Sequence, residues 1–273
     1  MKIAVTGKGG VGKTFIAGTL ATIYARKGQP VIAIDADPSP NLATSLGLSD
    51  KEIKHIRPIA ENEELIRLKT MTDHPGVFRL TFTVYDIIDR YAVPTPSGAN
   101  LLVMGTVRSL GSGCTCPANT VVKALLRHLL VERDEVVILD MEAGIEHLGR
   151  GTAEHVDVML VIADANKKSL ETARAICRIA AGSPFRQVGL VANKITGPAQ
   201  GEIFSAFAGK YNIPVFGVIP FDPEVVTAGV TGEPVDEKTS VALGAISQLA
   251  QRLTDTRFNT TERLRGKYGL EPL

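Results

Sequence analysis

The sequence predicts an α/β fold, a doubly wound and mostly parallel sheet with helices on both faces, spread over 273 residues. Short β-branched runs recur along the chain, and several are apolar at consecutive positions, as strands buried on both faces must be. Stretches of helical periodicity separate them, and strand–helix alternation builds a parallel sheet through crossover connections. The first strand-to-helix junction is also a glycine-rich turn, Gly7-Lys8-Gly9-Gly10-Val11-Gly12-Lys13-Thr14.

Each element follows from its residues in order. Lys2-Ile3-Ala4-Val5-Thr6 is a β-rich opening run, and Thr14 to Lys27 follows with Phe15, Leu20, Ile23 and Tyr24 at helical spacing. Val31 to Ile34 is the second strand. The longest interruption runs from about 48 to 100; an insertion of that length is seldom structureless. It predicts a helix near Lys51 to Ile56 and a subdomain or hairpin around Arg79 to Asp86, which either contacts a partner or is an inert connection. Leu101 to Met104, Val136 to Leu139, Val158 to Ala163, Val188 to Ala192 and Val215 to Ile219 are the remaining strands. Helices are expected at Thr120 to Val131, Ser169 to Ala181, Gln200 to Lys210 and Ser240 to Leu253. No Pro/Ser-rich linker or internal repeat divides the chain, so one domain is expected over 1–273, with the insertion at about 48–100.

Composition narrows the classes of function. Hydrophobic content of 44% and charged content of 22% are ordinary globular values. Thirty basic against twenty-nine acidic residues leave +1, so no global field draws nucleic acid or anionic lipid. No apolar run of about eighteen residues is present, and the N-terminus enters a strand at once, which predicts a cytoplasmic protein without a signal peptide. Three cysteines do not make a disulfide framework.

The glycine-rich turn carries the strongest chemistry. Such a turn between strand and helix aims backbone N–H groups and the helix dipole at phosphate oxygens. Lys13 adds a fixed charge and Thr14 offers a hydroxyl to Mg²⁺. Carboxylates follow the ends of two further strands, in Asp35-Ala36-Asp37-Pro38 and in Asp140-Met141-Glu142-Ala143-Gly144. Beside a phosphate loop, those ends are where Mg²⁺ and an attacking water are organised.

Lys8, five residues before Lys13, makes the loop resemble the deviant Walker A ATPases related to MinD, ParA, nitrogenase iron protein and the arsenical pump ATPase. The resemblance implies a P-loop NTPase in which Lys8 reaches across a homodimer to the partner's nucleotide. A cation delivered in trans stabilises phosphoryl transfer as an arginine finger does. By the same resemblance Lys8, Lys13 and Asp37 are catalytic, with Asp37 orienting the hydrolytic water. Gly9, Gly10, Val11, Gly12, Lys13, Thr14 and Phe15 hold the phosphates, and Gly144 senses the γ-phosphate. Thr14, Asp35 and Asp140 serve Mg²⁺. Asn193, Pro220, Phe221 and Asp222 match the adenine-contact positions. The N-K-x-D of GTPases is missing, since Asn193-Lys194 is followed by Ile195-Thr196, which favours ATP. Phe15 stands where most relatives carry Ser or Thr, so one hydroxyl to the α-phosphate is lost.

The cysteine pair narrows the resemblance. Cys114-Thr115-Cys116 sits in a glycine-rich stretch, and in an extended segment residues i and i+2 point the same way, so both thiolates can grip one soft metal. Two such pairs face to face across a dimer complete a four-sulfur shell. Two buried thiols are the plainer alternative. Cys177, within a periodic helix, is read as core. His147, His155, Glu142 and Glu146 flank the second carboxylate segment, as switch residues or transient metal ligands. With the stretch Asp140 to Thr152, these features make the chain similar to the CooC type of ATPase. That resemblance implies Ni²⁺ (or Zn²⁺) bound across a homodimer by Cys114 and Cys116. It also implies a client that is apo carbon monoxide dehydrogenase or acetyl-CoA synthase.

Two other classes stay open. A MinD- or ParA-like spatial organiser calls for membrane or DNA binding, yet Arg257 to Leu273 has no continuous apolar face. An electron-transfer ATPase like nitrogenase iron protein uses one cysteine from each of two distant loops, whereas here two lie adjacent; a [4Fe–4S] cluster on four dimer thiolates would show as brown protein.

Overall fold

The computed structural model describes residues 1–74, 77–79, 81–105, 117–144, 153, 155–183, 185–232, 235–236 and 238–255. Cys114, Cys116, Glu146, His147 and the stretch 257–273 lie outside the described residues.

Among the described residues, eight strands form one sheet: β1 (Lys2–Gly7), β2 (Val31–Ala36), β3 (Val93–Pro94), β4 (Asn100–Val103), β5 (Val136–Met141), β6 (Val158–Ala163), β7 (Gln187–Ile195) and β8 (Val215–Pro220). Their spatial order is β3-β4-β2-β5-β1-β6-β7-β8, parallel except for the short edge strand β3, which runs antiparallel to β4. Helix α1 (Lys13–Arg26) links β1 to β2, α6 (Pro117–Val131) leads into β5, α7 (Lys167–Ala181) joins β6 to β7, and α8 (Pro198–Lys210) joins β7 to β8. Two more helices follow β8, α9 (Pro223–Thr231) and α10 (Val241–Thr254).

Alternate residues of each strand enter different cores. Ile3, Val5 and Ile138 pack with α1 and α10, while Ala4, Val137 and Leu139 pack with α6 and α7. Both faces are covered, which is why the strands carry apolar residues at consecutive positions. Cys177 is buried in α7 as expected, and burial pushes its thiol up to about 12.

The segment between β2 and β4 is ordered into short helices: α2 (Leu42–Ser45), α3 (Asp50–Ile53), α4 (Glu63–Thr70) and α5 (Tyr85–Tyr91). The expected helix near Lys51 is α3, started by a capping box of Ser49 and Glu52. Among the described residues no hairpin forms around Arg79 to Asp86. An isolated antiparallel bridge joins Met71 to Phe78 upstream, and α5 begins at Tyr85. The reason is burial: Val84, Ile87 and Ile88 join Ile59 and Leu65 in the core under α6, and adjacent Ile87 and Ile88 suit a helical face rather than strand alternation. Lys69 locks the two parts together through Asp86 and the Thr83 carbonyl.

Candidate nucleotide site

The chain leaves β1 for β2, adds β4 and β3, then returns to insert β5 between β2 and β1 before crossing to β6. The sheet therefore reverses direction at β1 and β5, and the crevice beyond their C-terminal ends is where an α/β sheet binds ligand. Asp35 and Asp140 become register partners on adjacent strands, and Val5, two residues before Gly7, pairs with Asp140. Residues more than a hundred positions apart in sequence thus meet at one rim.

The loop from Gly7 to Gly12 needs its glycines. Gly7 has φ +147°, and a Cβ there would stand 2.3 Å from the Ile162 carbonyl oxygen of β6. Gly12 has φ +96° and precedes α1 with no side-chain cap, while the first turn carries no acidic residue. The free N–H groups and the positive dipole end are left for an anion. A Cβ on Gly9 or Gly10 would meet nothing within 4 Å, so open space lies over the loop.

The loop is braced from β7. Asn193, buried, donates from Nδ2 to the Val11 carbonyl at 2.7 Å, and Lys194, held at φ +59°, donates from Nζ to the Gly10 carbonyl at 2.8 Å. In a trans peptide the C=O and the following N–H point opposite ways. Tying down these two carbonyls turns the N–H groups of Val11 and Gly12 away from β7. Asn193 was expected at the base; its amide nitrogen is committed to the loop. Lys194, which the resemblance pairs with Asn193 at the adenine-contact positions, spends its ammonium on the phosphate loop instead.

Lys13 is buried, with Nζ 4.0 Å from Asp37 Oδ2. Lys8 and Thr14 are partly exposed, and Phe15 packs partly buried against the α1-side core. Asp35 is fully buried and accepts from the Asp37 N–H at 3.2 Å and the Leu42 N–H at 2.9 Å. It folds the segment after β2 back over the site; burial raises its pKa, opposed by those backbone donors. Asp37 Oδ1 accepts from the Ser39 N–H.

Asp140 has neither solvent nor a hydrogen bond of normal geometry at either carboxylate oxygen. Burial is the main cause of a pKa raised to about 7, helped by the charges of Asp35 and Asp37 and opposed by Thr14 and Lys13. An orphaned carboxylate among carboxylates, beside a threonine hydroxyl, fits a divalent cation: the ion would supply the charge this pocket lacks.

Beyond β8, Phe221 is 40% exposed and its N–H donates to the Ile195 carbonyl, which brings 220–222 beside the Asn193 turn. Asp222 serves the fold: Oδ1 caps α9 at the Glu224 N–H, and Oδ2 accepts from Ser240 Oγ at 2.6 Å and the Ala242 N–H at 3.1 Å. Burial pushes its carboxyl up, but these donors outweigh it and hold it below the usual value. The Asp-Pro pair at 222–223 is itself a helix-start signal. Thr6, not singled out by the sequence, donates from Oγ1 to the carbonyls after β5.

A model of the CobQ/CobB/MinD/ParA nucleotide-binding domain matches residues 2–235, nearly all of this framework. The chain belongs to that family. Within it, the chain is 41% identical over 234 residues to the carbon monoxide dehydrogenase accessory protein CooC of Rhodospirillum rubrum, covering 85% of this chain and 88% of the relative. It is 38% identical to an uncharacterised ATP-binding protein of Methanocaldococcus jannaschii, covering 94% and 100%. A ParA family ATPase from Chlorobium tepidum superimposes with a TM-score of 0.67 at 18% identity, covering 92% of this chain and 98% of that one, a likeness of fold. This member of the CobQ/CobB/MinD/ParA family is an ATPase of the CooC type, binding ATP or ADP with Mg²⁺.

Proposed function

We propose that this ATPase holds nickel between two copies of itself and serves the maturation of a nickel enzyme, carbon monoxide dehydrogenase or acetyl-CoA synthase. The observation that carries the proposal is the Cys114-Thr115-Cys116 pair in a chain 41% identical to a carbon monoxide dehydrogenase accessory protein. One pair supplies two thiolates, so a four-coordinate site needs a second copy.

The nucleotide machinery provides the coupling. Backbone N–H groups of Gly9 to Thr14 and the Lys13 ammonium hold the β- and γ-phosphates. When bound, Mg²⁺ neutralises developing charge on the transferred phosphoryl group. Asp140 and Thr14 would hold it, with Asp35 setting the segment after β2. Asp37, 4.0 Å from Lys13, orients the attacking water. Lys8 from one copy reaches the other's nucleotide, so hydrolysis requires the dimer. Asn193 and the Pro220–Phe221 turn flank the base, with the Asp222 carboxylate consumed by its helix caps. Hydrolysis loosens the dimer and lets the ion pass to the apo client.

The test is equilibrium binding of Ni²⁺ and of Zn²⁺, with mass measured in parallel, on wild type and Cys114→Ala/Cys116→Ala, each with and without nucleotide. One ion per dimer, lost in the double variant and dependent on nucleotide, is expected. ATP-dependent dimers without cysteine-dependent metal would refute the proposal and favour a spatial organiser; brown protein would favour an iron–sulfur role.

A further inference from the structure

Beyond the last ladder pair of β1 and β5, Val5 with Asp140, the sheet is continued by a side chain. Thr6 is fully buried, and its Oγ1 lies 2.8 Å from the Glu142 carbonyl and 3.1 Å from the Gly144 carbonyl. The same oxygen accepts from the Gly144 N–H at 3.3 Å. One hydroxyl has a single proton and two lone pairs. It therefore donates to one of the two carbonyls at a time, with Glu142 the shorter, while its lone pair receives the Gly144 amide.

Gly144 has φ +135°, a conformation that favours glycine, so its peptide is free to take orientations closed to other residues. Its N–H is engaged by the Thr6 hydroxyl, through a long bond to a neutral acceptor. A phosphate oxygen is the stronger acceptor, since hydrogen bonds to ionised groups are roughly twice as strong as neutral ones. We infer that Thr6 is a latch: its hydroxyl parks the Gly144 amide and holds the segment after β5 in a resting position until a γ-phosphate takes that amide away. Thr6 is thus a positioning residue of the ATPase, acting through Gly144. The inference rests on Gly144 being the amide that meets the γ-phosphate.

The latch predicts a specific asymmetry. ADP has no γ-phosphate and binds without opening it; a triphosphate must break the Thr6 contacts first. Removing the hydroxyl removes that competitor, so affinity for a triphosphate rises while affinity for ADP stays. The worth of one neutral hydrogen bond, ~1 kcal/mol, corresponds to about fivefold.

The experiment measures dissociation constants of Mg²⁺–ADP and of a non-hydrolysable Mg²⁺–ATP analogue on the full chain for wild type, Thr6→Val and Thr6→Ser. Hydrogen exchange of the 141–144 backbone is followed alongside. Thr6→Val should shift the ratio of the two constants about fivefold toward the triphosphate and speed exchange, whereas Thr6→Ser, which keeps the hydroxyl, should match wild type. If the valine variant does not fold, Thr6→Ala is read in the same way. A ratio within twofold of wild type, or a parallel fall of both affinities with lower thermal stability, overturns the latch. A failure of the underlying assumption is separable: if hydrogen exchange at Gly144 in the wild type is the same with the Mg²⁺–ATP analogue bound as with Mg²⁺–ADP, Gly144 is not the γ-phosphate contact at all.

Discussion

Asp140→Asn is the perturbation for which the structure sets a magnitude. The wild-type carboxyl is buried, makes no hydrogen bond of normal geometry and has its pKa raised from 3.8 to about 7. At about 1.4 kcal/mol per tenfold change in proton affinity, this displacement withholds ~4 kcal/mol of stability from the nucleotide-free protein. The pH window follows from the direction. Between 3.8 and about 7 the folded state binds a proton that the unfolded state has released, so stability falls as pH rises through this range. The loss is complete above about 7. Asparagine removes the charge but adds a buried amide whose desolvation costs ~1–3 kcal/mol. Asp140→Asn should therefore be more stable than wild type by ~1–3 kcal/mol at pH 8 in EDTA, and toward pH 4, where the carboxylate penalty is gone and the amide cost remains, the order should reverse. Urea unfolding of both proteins across that range reads the difference, since carboxylates away from the site titrate alike in each. Mg²⁺–ADP should then stabilise wild type far more than the variant, which should have lost Mg²⁺-dependent hydrolysis. A stability difference independent of pH, or an asparagine variant less stable at pH 8, would refute the view of Asp140 as a carboxylate waiting for a cation.

Three further perturbations follow from the same geometry. Gly12→Ala places a Cβ 2.4 Å from Asn193 Nδ2 at φ +96°, and should cost about 2 kcal/mol in unfolding and at least tenfold in ATP affinity by calorimetry. Lys194→Met removes the tie to the Gly10 carbonyl from an exposed side chain, so steady-state kinetics should show KM for ATP raised roughly threefold to tenfold, with Tm unchanged within about a degree. Asp222→Ala uncaps α9 and strips the Ser240 and Ala242 donors at the start of α10, for a loss of about 2–3 kcal/mol in denaturant unfolding at pH 7. Because the Asp222 carboxyl is held below 3.8, that contribution is present above 3.8 and lost as pH falls through the lower folded value, so the two proteins should converge only in strong acid.

Much of this was legible in the sequence. The phosphate loop was, because its glycines, Lys13 and Thr14 answer to local backbone geometry that eight consecutive residues define. So were the strands, since burial on both faces leaves runs of consecutive apolar residues, and Cys177, whose periodic helix placed it inside. The interval from Arg79 to Asp86 misled because its β-branched residues suggest extended chain, while the core beneath α6 draws Ile87 and Ile88 into a helix. Chain order alone also leaves open that β5 enters between β1 and β2. That placement, which pairs Asp35 with Asp140, depends on which apolar faces bury together over a hundred residues of separation. Asn193, Lys194 and Asp222 have their side-chain partners decided in the same way. An amide, an ammonium or a carboxylate can serve a ligand or the backbone, and only the packed fold determines which groups lie within about 3 Å. Residue chemistry and local periodicity belong to the sequence by itself; strand order and the commitment of each polar group belong to the tertiary structure, because they are settled by long-range burial that no local pattern encodes.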